Sequence, residues 1–312
     1  GLPIPMNTKL PPLIAIPTTA GTGSETTGVA IFDDTPTRSK TGIANRALKP
    51  NLGIVDPKNT ETLPPRVATY SGLDVLCHAI ESYTAIPHSK RPGGRPTSPL
   101  LRPAYQGSNP ISDMWAMMAL DLCVKHLPRA VTDGDEDSRS QLLLASSVAG
   151  IGFGNAGVHL CHGMSYPISS QVPSTYKGYG SSSGGYPTDH AMVPHGLSVI
   201  VSAPSVFEWT AEADFERHAT CARMLSAARG GTDDYTSTLG AEFAGKWLAD
   251  EIRDFLTKLN VRPGIKQFGY TEADLPALIE GTTPQHRVTK ISPRPVGREE
   301  LQMLFENVYA ED

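Results

Sequence analysis

The sequence predicts an α/β segment followed by an all-α body. Short β-branched apolar runs, bounded by Gly, Pro or Asp, fill the chain up to about Leu63. From Pro65 onward apolar residues recur at three and four, the spacing of one helix face. Two Gly/Pro- and Gly/Ser-rich excursions interrupt the helical part without a strand pattern of their own.

The expected strands are "LIAIP" (13–17), "GVAIF" (28–32) and "LGIVD" (52–56). So few strands, without helices between them, do not make a covered parallel sheet. Residues 1–63 are therefore read as the C-terminal remnant of a larger α/β domain, and 64–312 as a helical domain. Position 1 is Gly and not Met, which adds to the expectation that the true beginning lies upstream. Pro64 and Pro65 suit a first helical turn. Val67, Leu73, Leu76, Cys77 and Ile80 then form an apolar stripe. Residues 87–110 hold six prolines and three glycines and read as a loop excursion. Helical patterns resume in 111–127 and 138–153, and a Gly/Ser/Tyr-rich excursion spans 174–189. Residues 237–259 read as a long amphipathic helix stopped near Pro263. In "YTEADLPALIEG" (270–281), Thr271 stands three before Asp274, the spacing of a capped short helix.

With 27 Lys+Arg against 32 Asp+Glu, the net charge is −5, so the balance favours neither nucleic acid nor an anionic membrane surface. No apolar run approaches the roughly 20 residues of a bilayer span. The first residues lack both a signal-peptide core and an Arg/Ser-rich transit helix. Cys77, Cys123, Cys161 and Cys221 are widely spaced in apolar surroundings, which suggests buried reduced thiols in an intracellular compartment.

Chemistry concentrates in a few segments. Asp74 and His78 are four apart, so a helix projects both into the same space. A plain i,i+4 pair would do the same. His159 and His162, then His190 and His195, lie in two Gly/Pro-marked segments. One carboxylate with several imidazoles suits Fe(II) or Zn(II), though spacing does not choose between His159 and His162. "IPTTAGTGSETTG" (16–28) could turn backbone N–H groups toward a phosphate. It has neither a P-loop ending nor G-x-G-x-x-G spacing, so an ordinary Gly/Thr turn competes. Lys40 could meet a phosphate or stay solvated.

Taken in order, "PTTAGTGSE" (17–25), "DVLCHAIESY" (74–83), "HGMSYP" (162–167) and "PHG" (194–196) resemble the iron-containing (group III) alcohol dehydrogenase family. Residues 102–113, 150–169 and 276–293 resemble its hydroxyacid–oxoacid transhydrogenase branch. The resemblance covers nearly the whole chain. It implies a dehydroquinate synthase-like fold, in which a dinucleotide-binding α/β domain, here incomplete, precedes an all-helical metal-binding domain. Carried over by position, it implies Asp74, His78, His162 and His195 as metal ligands, with Fe(II) or alternatively Zn(II). It implies NAD(H) as cofactor, with Thr18, Thr19 and Lys40 as contacts. Catalysis would be centred on the metal, with no separate general base assigned. Two departures stand out. Many members carry His four residues after the third ligand, where this chain has Tyr166, so a proton relay there is in question. The family's Gly-Gly-Gly-Ser pyrophosphate turn and acidic ribose partner would precede residue 1.

The resemblance further implies hydride transfer from 4-hydroxybutyrate to 2-oxoglutarate through a bound nicotinamide, giving succinate semialdehyde and 2-hydroxyglutarate. Partners would then be small hydroxy and oxo acids and further copies of the chain in a homo-oligomer, and the compartment mitochondrial or else cytoplasmic. Arg102 and Lys90 are weak candidates to meet the substrate carboxylate, and a solvated loop charge fits each of them better. An ordinary NAD-dependent alcohol dehydrogenase, an inactive metal-binding fragment and a metal-dependent hydrolase are the competing readings. Without the pyrophosphate turn, this chain is expected to bind NAD weakly, and tight binding in calorimetry would refute that.

Overall fold

The computed structural model describes residues 10–34, 39–94, 96–98, 101–178, 191–232 and 240–311. Its organising element is helix α1 (Pro65–Thr84), which has Pro64 as its N-cap and Pro65 in its first turn. That placement costs nothing, because a first-turn N–H has no intrahelical partner to lose. The run from Gly72 to Ser82 is buried without interruption, so α1 is enclosed on every side. Around it pack α2 (Pro110–Thr132), α3 (Glu136–Ala156) and the short α5 (His195–Ile200). Helix α4 (Leu160–Ser170) follows α3 after a tight turn.

The remaining helices are α6 (Ala203–Thr210), α7 (Phe215–Ala228), α8 (Gly240–Lys258), α9 (Leu275–Thr282), α10 (His286–Thr289) and α11 (Arg298–Ala310). One continuous apolar core joins them to α1, with Phe207, Phe268 and Phe305 fully buried in it. Expected helix boundaries shift slightly. Helix α2 runs past Pro128 to Thr132, since a proline near the last turn removes only one ladder bond. The expected helix at 237–259 is seen as α8, its first three residues lying outside the described ones. Thr271 and Asp274 do form the capping box that leads into α9. All four cysteines are buried and free. Among the described residues no single helix is long and apolar enough to cross a membrane.

The β segment departs further from expectation. Strands β1 (Ile14–Ala15) and β4 (Leu52–Gly53) pair in parallel, and β2 (Val29–Asp34) pairs antiparallel with β3 (Ser39–Ala44). The runs at 13–17 and 52–56 thus shrink to two residues each. Each has one neighbour among the described residues, and Ile14, Ile16, Leu52 and Ile54 stay exposed. The strand β3 was not anticipated. Its sequence, SKTGIA, has a glycine in the middle and little β-branched alternation. It is recruited by pairing with β2 and by contact with α4.

The glycine-rich segment packs on the helical body through Gly23 and Glu25. Gly23 has φ +58°, and a Cβ there would lie 2.6 Å from the Ser146 carbonyl oxygen. Its N–H donates to Ser146 Oγ on α3 at 3.1 Å, and buried Glu25 accepts from Ser147 Oγ at 2.6 Å. The turn is thereby locked to α3, which orients the β segment against the helical body.

His218 on α7 is fully buried, its ring bonded to Thr210 Oγ1 at 2.9 Å and to the Asp214 carbonyl at 2.7 Å. Burial pushes its pKa down to about 4. Between there and the ordinary value of 6.5 the unfolded chain binds the extra proton, so stability falls as pH falls through that window. The stability advantage of the wild type over His218→Asn is accordingly expected to shrink from pH 6.5 toward pH 4, as urea denaturation will show.

Candidate metal centre

Asp74, His78 and Glu81 fall on one face of α1, at i, i+4 and i+7. His162 lies in the first turn of α4, and His195 opens α5. Gly196 is what lets α5 approach. A Cβ there would sit 1.9 Å from the Tyr70 carbonyl oxygen on α1, so only glycine allows the contact that brings His195 beside Asp74.

Three imidazoles face one carboxylate oxygen. From Asp74 Oδ1, His162 Nε2 is 3.4 Å away, His78 Nε2 3.7 Å and His195 Nε2 3.8 Å. Donors held tetrahedrally at the usual metal distances stand about 3.3–3.6 Å apart. The two closer pairs match that spacing or nearly so. Asp74, His162 and His195 form a compact set in which every donor lies within 4.8 Å of every other. His78 stands slightly outside it, its ring stacked on Phe153 at 4.0 Å between centroids. Asp74 Oδ1 and His162 Nε2 are buried and have no hydrogen-bond partner. Leaving two such atoms unpaired costs on the order of 1–3 kcal/mol each. A divalent cation bound between them would satisfy both, so the residues fit the group.

Electrostatics prepares the donors. Burial opposes ionisation of Asp74, but His78, His195 and His162 hold its carboxyl well below the usual carboxylate range. Burial pushes His78 down to about 4 and lowers His195 as well, so both present neutral lone pairs at pH 7. His162 goes the other way. Burial alone would lower it, yet Glu81 and Asp74 push it up to about 9.

Glu81 is the residue that sequence reasoning missed, although it stands only three after His78 in "HAIESY". It is fully buried and accepts a very short hydrogen bond from His162 Nδ1. It also accepts the backbone N–H groups of His159 at 3.0 Å and His162 at 3.3 Å, capping the start of α4. Holding the Nδ1 proton fixes the tautomer and aims Nε2 at Asp74.

His159 is a core histidine, bonded to Thr84 Oγ1 at 3.1 Å with its ring edge against Phe207. His190 lies outside the described residues. Lys40 is on β3, paired with Asp33 at 2.7 Å, and is close enough to bear on His195. Gln285 Nε2 donates to its carbonyl at 3.3 Å, tying β3 to the turn before α10. Thr18 is exposed and Thr19 half-buried, both in the bend after β1. Arg102 and Lys90 are exposed loop charges. Tyr166, one helical turn after His162, is buried and accepts a hydrogen bond from Arg287 Nη2 at 2.5 Å.

The chain is similar to known proteins along its length. A model of the family "Iron-containing alcohol dehydrogenase" matches residues 3–57, and one of "Fe-containing alcohol dehydrogenase family, C-terminal" matches residues 104–174. The mitochondrial hydroxyacid-oxoacid transhydrogenase of Bos taurus is 54% identical over 303 residues, which are 97% of this chain and 62% of that protein. The chain thus spans less than two thirds of the length of that curated relative. An iron-containing alcohol dehydrogenase from Thermococcus thioreducens superposes with TM-score 0.70 at 28% identity, over 96% of this chain and 65% of that one. Sulfoacetaldehyde reductase from Bifidobacterium kashiwanohense, solved with NAD+, shares the fold at TM-score 0.71 and 24% identity, over 98% and 68% of the two chains.

Two measurements check the centre. Asp74→Ala and His195→Ala are expected to lose stoichiometric metal after dialysis, and Glu81→Gln to weaken metal affinity by about 10–100-fold. Affinity should also rise with pH toward 9, because the raised pKa leaves a proton on His162 that the cation must displace. Calorimetry in buffers of different ionisation enthalpy reads that proton release directly.

Proposed function

We infer that this chain belongs to the iron-containing alcohol dehydrogenase family, and on that premise we propose that it works as a hydroxyacid–oxoacid transhydrogenase. The hydride would pass from C4 of 4-hydroxybutyrate to a bound nicotinamide and from there to C2 of 2-oxoglutarate. Succinate semialdehyde and 2-hydroxyglutarate are the products, and one proton crosses with the hydride so that the exchange balances. The observation that carries the reading is the convergence of three imidazole Nε2 atoms on Asp74 Oδ1, with two of the donor atoms buried and unpaired. The 54% identity to the bovine transhydrogenase supports the choice of branch.

Asp74, His162 and His195, with His78 beside them, would hold the metal, taken as Fe(II) from the family, with Zn(II) compatible with the same donors. Bound there, the metal supplies a Lewis acid that lowers the pKa of a substrate hydroxyl and polarises a carbonyl. Asp74 contributes the negative charge and leaves the set net cationic. Glu81 keeps His162 oriented through each turnover. His195, whose side chain is 32% exposed, marks the side from which substrate enters. Lys40, Thr18 and Thr19 are assigned to the cofactor, on the side of residues 1–63, with residues 64–312 supplying the metal-binding side. At the position where many family members carry a histidine, Tyr166 is buried, with its pKa raised by that burial, and it accepts a hydrogen bond from Arg287. We assign the protein to mitochondria, as the bovine relative's name states of that protein.

The test is direct. Metal-loaded full chain is incubated with 4-deuterated 4-hydroxybutyrate and 2-oxoglutarate, with no more nicotinamide than is bound. Deuterium is expected at C2 of 2-hydroxyglutarate. Turnover that consumes added NAD stoichiometrically and ignores the oxo acid would establish an ordinary alcohol dehydrogenase instead.

A further inference from the structure

Arg287 is an unusual cation in this protein. Arg217, Arg229 and Arg253 each meet a carboxylate at 2.5 Å. Among the described residues no carboxylate lies within 4.0 Å of the Arg287 guanidinium. Its neighbours are two tyrosines. It donates from Nη2 to Tyr166 Oη at 2.5 Å and lies 5.2 Å from the centre of the Tyr105 ring. Both tyrosines are buried, and burial pushes Tyr105 up to about 12 and raises Tyr166, so neither neutralises the guanidinium.

Its place relates it to the metal centre. Tyr166 follows His162 by four residues on α4, so the two side chains project from one face about one helical turn, ~5.4 Å, apart. On the other side the guanidinium reaches β3, where a Cβ at Gly42 would come within 2.9 Å of Nη2. The cation is thus framed by α4, α10 and β3, where the helical body meets the β segment. Holding it without a counter-ion is costly, and an anionic ligand would offset that cost.

We propose that Arg287 is a specificity-determining residue that anchors the carboxylate of the substrate while its hydroxyl or keto end sits at the Asp74–His162–His195 set. This rests on the transhydrogenase reading for the identity of the acids. A guanidinium offers two parallel N–H donors to a carboxylate, which fixes both position and orientation. Tyr166 and Tyr105 hold the fork in place without competing as anions. Arg102 and Lys90, the loop candidates, are exposed and have no such frame.

The test compares a charged with an uncharged substrate. For metal-loaded full chain, kcat/KM is measured for 4-hydroxybutyrate and for 1-butanol in wild type, Arg287→Met and Arg287→Lys. The ratio of the two is expected to fall about 30-fold or more in Arg287→Met, and less in Arg287→Lys. An equal fall for both substrates would show that the arginine only braces the tyrosines, and would overturn the proposal. If the variants do not fold, calorimetry on wild-type, metal-free protein decides, using succinate against 1,4-butanediol. Salt-sensitive binding of succinate alone supports the anchor, and absent or equal binding refutes it. Should deuterium fail to reach the oxo acid while the ratio still falls, the anchor stands and the transhydrogenase reading fails. Should deuterium transfer while the ratio is unmoved, the reverse holds.

Discussion

The contact between Glu81 and His162 joins the two halves of the candidate metal centre. Glu81 comes from α1 and His162 from α4, and no carboxylate so deeply buried would be tolerated without strong partners. It has three: the imidazole Nδ1–H and two backbone N–H groups at the start of α4. One group therefore caps a helix, selects a tautomer and sets the distance between two helices. The remaining donors depend on the same frame, because Asp74 and His78 share α1 with Glu81.

Close backbone approach does the rest. Gly196 brings α5 against α1 and so delivers His195, while Gly23 seats the β segment on α3. Each contact replaces a side chain by direct packing, which gives short distances and little play. The result is a site with opposed electrostatic demands. Asp74 and Glu81 are held as buried anions, His78 and His195 are kept neutral, and Arg287 on α10 brings a positive charge to Tyr166, one turn along α4 from His162.

Much of the helical part was legible in the chain. Periodicity located α1, α2, α3 and α8, and the Thr271–Asp274 spacing marked the entry to α9. The β segment was legible only in part, because strand length depends on neighbours and β3 has no strand pattern of its own. Within the site, the i,i+4 spacing of Asp74 and His78 pointed to a shared helix face without saying what shared it.

Local order, then, was determined by sequence: helix spacing, capping residues and the acid–imidazole pair are set by residues within a turn or two of each other. The contact of Glu81 with His162, the approach of His195 to Asp74 and the contact of Arg287 with Tyr166 were decided by the tertiary structure. Those depend on distances between residues up to 121 positions apart, such as Tyr166 and Arg287. No local pattern encodes them, because they exist only once α1, α4, α5 and α10 have packed together.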